Sequence, residues 1–139
     1  MSYKILSKFI KDISFEIPNA KAFVMLEKEI LNYGLNFDIK SNPYKNNIIE
    51  VNTTLKISPN ENVKHKILTE ITCTTLVSIE KNFENKKELE KIILIKIPTE
   101  IFPLLYETFV YLFKQAGIKN IQIEKTVDFQ KMYDSRKNN

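Results

Sequence analysis

The 139-residue chain has only two glycines, Gly34 and Gly117. A phosphate-cradling loop needs several closely spaced glycines so that backbone N–H groups can approach the anion, and a nucleotide-binding loop of that kind is excluded. Cysteine occurs once, at Cys73, and histidine once, at His65. A single cysteine excludes an internal disulfide, and one residue of each type excludes a Cys/His zinc site, which takes four ligands. Nor do the two form a nucleophile–base dyad within one strand. They stand eight residues apart, about 26 Å of extended chain and far outside hydrogen-bond reach. Cys73 therefore reads as a small packed hydrophobe, and His65 as a surface residue at a strand end. With no catalytic constellation in sight, the chain is not expected to be an enzyme or to use a cofactor or metal.

Long apolar runs are also missing. The best candidate, Ile97 to Ala116, is broken by Glu100, Glu107 and Lys114, so it is not a membrane span of about 18 residues. The start, Met1-Ser2-Tyr3-Lys4, shows no apolar leader region. A cytoplasmic protein with no direct membrane insertion is expected, folded as one domain over residues 1–139. Arginine occurs once, at Arg136, although the net charge is +4 and the pI is near 9.0. Basic charge with abundant aromatics is also what a nucleic-acid-binding module shows. Here lysine and asparagine are spread along the whole chain, which reads as a surface-wide composition and not as a nucleic-acid footprint.

Hydrophobic periodicity supplies the elements. From Tyr3 to Ile17 the second half alternates, with Ile13, Phe15 and Ile17 on one side and Asp12, Ser14 and Glu16 on the other. This is a half-buried strand with an acidic outer side, ended by Pro18-Asn19. Residues 20–33 admit a short helix through the spacing of Ala20, Phe23, Leu26 and Ile30. Leu35 to Lys40 alternates as a second strand, and Ser41 to Asn47 has the composition of a loop. Ile49, Val51, Thr53, Leu55 and Ile57 define one face of a third strand, followed by a turn at Ser58-Pro59-Asn60-Glu61-Asn62. A fourth, β-branched strand runs from Val63 to about Ile79, with Ile67, Thr69, Ile71, Cys73, Thr75 and Val77 on its odd face.

Beyond Asn82 the period changes. Lys86 to Ile95 opens with a helical turn or two, or ends in an extended Ile92–Ile95 run; the pattern leaves both open. Pro98 to Ala116 predicts a helix closed by Gly117, with Pro103 as a point of kinking. That helix is apolar nearly all round, so it needs cover on more than one side, expected from another subunit. A last helix starts at Asp128, with Phe129, Met132 and Tyr133 on one face. Strands first and helices after predict an α+β fold: a four-stranded antiparallel sheet followed by a long helix and a short C-terminal helix.

The run Lys11-Asp12-Ile13-Ser14-Phe15-Glu16, continued by Pro18-Asn19-Ala20, resembles the signature strand of the SecB family. The order of later features agrees: Glu50-Val51 opening a strand, Leu68 and Glu70 ahead of Val77-Ser78-Ile79, Ile101-Phe102-Pro103 in the long helix, and Val127-Asp128-Phe129 at the last one. The resemblance implies an ATP-independent chaperone, a homotetramer built as a dimer of dimers, that holds unfolded precursor proteins and passes them to the SecA motor. It implies SecA contact through Asp12, Glu16, Leu68 and Glu70. It implies client grooves lined by Phe37, Ile39, Ile49, Phe129 and Tyr133, and an oligomer interface on the face of Thr69, Ile71 and Cys73. The chain departs from the family in its basic charge and in its short basic ending, Arg136-Lys137-Asn138-Asn139. Lys8, Lys64 and Lys66 are expected on the faces of the acidic patch, where they weaken its field. A SecB-like chaperone dedicated to another client, such as an antitoxin, is the near alternative, and a nucleic-acid-binding module the distant one.

Overall fold

The computed structural model describes residues 3–29, 33–59, 66–80, 85–119 and 123–137. Four strands, β1 (Tyr3–Glu16), β2 (Tyr33–Lys45), β3 (Ile48–Pro59) and β4 (Leu68–Ile79), form one sheet in the order β1-β4-β3-β2. Every neighbouring pair is antiparallel. Helix α1 (Ala20–Glu29) leads from β1 to β2. After β4 the chain stays helical from α2 (Lys86–Lys91) through a π-helical segment (Ile92–Lys96) into α3 (Ile97–Gln115), and α4 (Phe129–Lys137) follows. The expected fold class is the one observed. The turn expected over residues 58–62 and the strand start at Val63 fall partly outside the described residues, as does His65.

The core lies between one face of the sheet and α3. Val51, Leu55 and Ile57 of β3, with Ile71, Cys73 and Val77 of β4, are buried against Ile97, Ile101, Leu105, Phe109 and Phe113. These helical residues recur every fourth position, one ridge along the helix. Each such burial contributes about 1.5–3 kcal/mol. The chain itself thus covers the principal stripe of α3. Leu104, Val110 and Leu112 are only partly buried, and Tyr111 is 62% exposed.

α3 ends as its glycine predicts. Gly117 has φ +89, and its N–H reaches the Lys114 carbonyl while the Ile118 N–H reaches that of Phe113, each at 3.0 Å. This is a Schellman closure, with Ile118 buried beside Phe113 as its apolar partner. At the upstream end the structure decides between the two open readings: helix begins at Lys86, and the Ile92–Ile95 run is helical, not extended. Pro98 supplies a reason for the π turn. A proline lacks an N–H, and its ring crowds the carbonyl four residues back, here that of Leu94. The ladder widens just ahead of it, and the Ile97 N–H bonds to the Ile92 carbonyl, five residues back.

Two strands depart from simple alternation. Register shifts between Ile5 and Ser7 and between Ile10 and Asp12 make Leu6 and Lys11 extra residues in β1. The first shift inverts which side chains face the helix layer and the second restores it. Lys8 consequently lies opposite the buried Thr75, on the helix side of the sheet. That corrects its expected place beside the acidic patch. Ile13 also differs: it lies opposite Ile71 but is 44% exposed, because β1 is an edge strand overhanging the core. Phe15 and Ile17 are partly buried, and Phe15 packs edge-on against Phe113 at 5.3 Å. In β2 the segment expected as a loop is strand as far as Lys45, and the turn is only Asn46-Asn47, with Asn46 at φ 50. An edge strand pairs on one side only, so Pro43 can lie within it without breaking the ladder.

Candidate functional site

An open cavity of about 590 Å³ lies between β2, the π segment and α4. Phe37 and Ile39 alternate along β2 opposite Leu55 and Thr53, both buried, so their side chains face the helix layer. α4 is fixed by its first residues: the Asp128 carboxylate accepts the Lys131 N–H at 3.0 Å, and the Asp128 carbonyl that of Met132 at 3.3 Å. This N-cap orients Phe129, Met132 and Tyr133 along the cavity, which is the helical spacing read from the sequence. Phe129 and Tyr133 are buried in its wall, whereas Met132 is 42% exposed.

Four of the five residues expected in a client groove therefore meet in one place: Phe37, Ile39, Phe129 and Tyr133. Ile49 does not join them. It pairs with Pro43 and Val77 near the β2–β3 turn, partly buried and away from the cavity. Two participants had gone unread. Phe102 of α3 completes a ring cluster, 5.8 Å from Phe37 and 6.2 Å from Phe129, with Phe37 and Phe129 themselves 5.1 Å apart. Leu94 lines the cavity from the π segment, where the sequence left helix and strand open. A second cavity of about 290 Å³ flanks the earlier part of β2, lined by Tyr33, Leu35, Ile57, Phe109 and Ile123 among others. The two together give the helix side of the β2 edge a partly open apolar border.

The opposite face of the sheet, at β1 and β4, carries the residues expected to contact SecA. Glu16 pairs with Leu68, Ser14 with Glu70 and Asp12 with Thr72. Residues paired across a ladder project to the same face, so Asp12, Glu16, Leu68 and Glu70 share one surface, and all four are exposed. Leu68 is 44% exposed. Lys56 of β3 is the other cross-strand neighbour of Glu70, and Lys66 is exposed just ahead of β4. Lys64 lies outside the described residues.

Thr69, Ile71 and Cys73 do not form an available interface. They are 3%, 0% and 0% exposed within a single chain, because their face carries the chain's own helix layer. Cys73 is a packed core residue whose burial pushes its thiol above the usual range. The exposed apolar side chains near that end lie elsewhere, at Leu6, Phe9 and Ile13 on β1. Among the described residues no helix is long and apolar enough to cross a membrane.

Comparison with known proteins agrees with this architecture. The SecB family profile, described as preprotein translocase subunit SecB, matches residues 1–139. A putative protein-export protein SecB of Pelagibacter ubique is 41% identical over 137 residues, covering 99% of this chain and 98% of its own. A protein-export protein SecB of Ehrlichia ruminantium is 27% identical, covering 98% and 90%. Among solved structures, a Mycobacterium tuberculosis SecB-like chaperone in complex with a ChAD peptide from the HigA1 antitoxin superposes with a TM-score of 0.67 at 11% identity, over 90% of this chain and 88% of that one.

Proposed function

Since the chain belongs to the SecB family, whose members are non-enzymatic chaperones of protein export, we propose that it holds unfolded precursors in the apolar groove beside β2 and delivers them to SecA. The observation that carries this reading is the convergence of Phe37, Ile39, Phe129 and Tyr133, with Leu94, around a partly open cavity of about 590 Å³. An extended client laid along this border exchanges water for apolar contact. Burying about 1,000 Å² is worth roughly 25 kcal/mol gross, and ordering a disordered chain offsets most of it. The outcome is broad, reversible binding without ATP. The open edge of β2 adds backbone pairing that does not depend on client sequence.

Delivery uses the other face. Asp12, Glu16 and Glu70 around an exposed Leu68 make an acidic surface with an apolar centre, suited to a basic partner surface with a small apolar pocket. Assembly into a dimer of dimers is supported by the overhanging apolar residues of β1 and by the partly covered α3. On this reading the protein works in the cytoplasm, where precursors wait for translocation.

The test is an aggregation assay with an unfolded precursor and, separately, the folded mature protein. Suppression of precursor aggregation at one tetramer per client, with no effect on the mature protein, is expected; no suppression at that ratio rejects the holdase reading. A chaperone dedicated to an antitoxin-like client is the second reading, supported by the fold shared with the peptide-bound neighbour. It is recognised by tight binding of one client and weak suppression of unrelated ones. Salt-sensitive binding of arbitrary DNA would favour a nucleic-acid module instead.

A further inference from the structure

The groove is apolar inside, but its charged rim is unequal. Lys131, Arg136 and Asp128 are its charged lining residues among those described. Asp128 is already engaged: its carboxylate accepts the Lys131 N–H at 3.0 Å at the positive end of α4. The neighbouring acid Asp134 accepts from the Gln130 amide at 3.1 Å and does not line the cavity. On β2, Lys40 pairs with Asp38 at 3.7 Å. Both alternate with Phe37 and Ile39 and so point to the opposite face of the strand. Lys131 and Arg136 are exposed, and neither has an ion-pair partner among the described residues. Two exposed cations therefore stand over an apolar slot against a single lining carboxylate, that of Asp128.

We infer that the groove selects apolar client segments flanked by Asp or Glu over equally apolar segments flanked by Lys or Arg. The inference rests on the client-groove reading above and gives it a substrate class. When the apolar centre of a client enters the cavity, its flanking residues are left at the rim, close to Lys131 and Arg136. Carboxylates there gain two partial ion pairs, whereas ammonium groups meet two like charges. Each interaction is small at an exposed rim, but attraction in one client and repulsion in the other add, giving about a tenfold difference in Kd at low salt. The difference disappears near 1 M salt, where the screening length falls to about 3 Å.

The test uses three labelled, unstructured peptides with one shared Phe/Leu-rich centre and flanks of Glu, Gln or Lys. Their binding to the full-length protein is followed by fluorescence anisotropy at low and high salt. A K131E/R136E variant and a milder K131Q/R136Q variant are run in parallel. Position 131 is the third residue after the Asp128 cap, where glutamate suits a helix start, and circular dichroism checks the fold of each variant. The expected result is Glu-flanked tightest and Lys-flanked weakest with the Gln-flanked peptide between them, inversion of the Glu-to-Lys ratio in the first variant, and levelling of that ratio in the second. Equal affinities for Glu and Lys flanks, with the Gln peptide still bound, overturn the charge preference alone. So does a preference that survives both variants, since it would then come from the chain's overall charge. Failure of the Gln-flanked peptide to bind at all overturns the groove reading itself, and the inference with it.

Discussion

Tyr3 ties the start of β1 to the long helix, its phenol donating to the Glu100 carboxylate at 3.0 Å. Partial burial, and then that acceptor, push its pKa up to about 12. The unfolded phenol titrates near 10, so the contact's contribution is complete below that pH and is lost as pH rises from about 10 to 12. A spectrophotometric titration at about 295 nm is therefore expected to show a late phenol ionisation near pH 12, that of Tyr3. Tyr3→Phe removes that late step, and a late step that persists in the variant refutes the assignment. Single residues were legible where burial follows simple alternation. The odd-numbered side chains of β4 share one face as their alternation grouped them, and Cys73 packs as a small hydrophobe. The groove residues were less legible, since apolar spacing alone does not separate a core phenylalanine from a groove phenylalanine. Phe37 and Phe129 were singled out as groove residues only by resemblance, and Phe102 was read only as part of the long helix.

At the scale of elements, what misled was local backbone geometry. Two extra residues in β1 invert the alternation and then restore it, so both ends of the strand fit a simple pattern while Lys8 and Phe9 between them do not. Pro43 suggested a loop, but an unpaired edge accommodates it. The isoleucine-rich Ile92–Ile95 run has strand composition, yet it lies between two helical segments and takes a π turn ahead of Pro98. The C-terminal closure of α3 was plain, because a glycine just past an apolar helix has a definite conformational use. Its worth is measurable. A Cβ at Gly117 would sit 3.6 Å from the Phe23 ring, an ordinary contact, so the cost of Gly117→Ala is the left-handed backbone at φ +89. That cost is about 1–2 kcal/mol. The expected outcome is a lower urea midpoint with an unchanged slope; a midpoint equal to or above that of the parent chain would show that the closure readily rearranges.

For the molecule as a whole, the two working surfaces are separated by the sheet. The groove lies on the helix side at the β2 edge, and the acidic face lies on the bare side at β1 and β4, two strands away. The two surfaces share no residue, and this separation makes the SecA proposal testable. Lys8 does not oppose the patch, since it points to the helix side; the nearest cation across the ladder is Lys56, beside Glu70. Glu70→Lys places two lysines side by side and reverses one of the three charges around Leu68. The site is exposed, so folding stability is expected to shift by no more than about 0.5 kcal/mol. Binding to SecA, measured by calorimetry at low salt, is expected to weaken about tenfold through loss of an attraction and gain of a repulsion, with suppression of precursor aggregation unchanged. Unaltered SecA affinity would reject the acidic face as the delivery surface. Parallel loss of SecA and client binding, checked by sedimentation, would mean that β1 and β4 serve assembly and that delivery depends on a surface elsewhere.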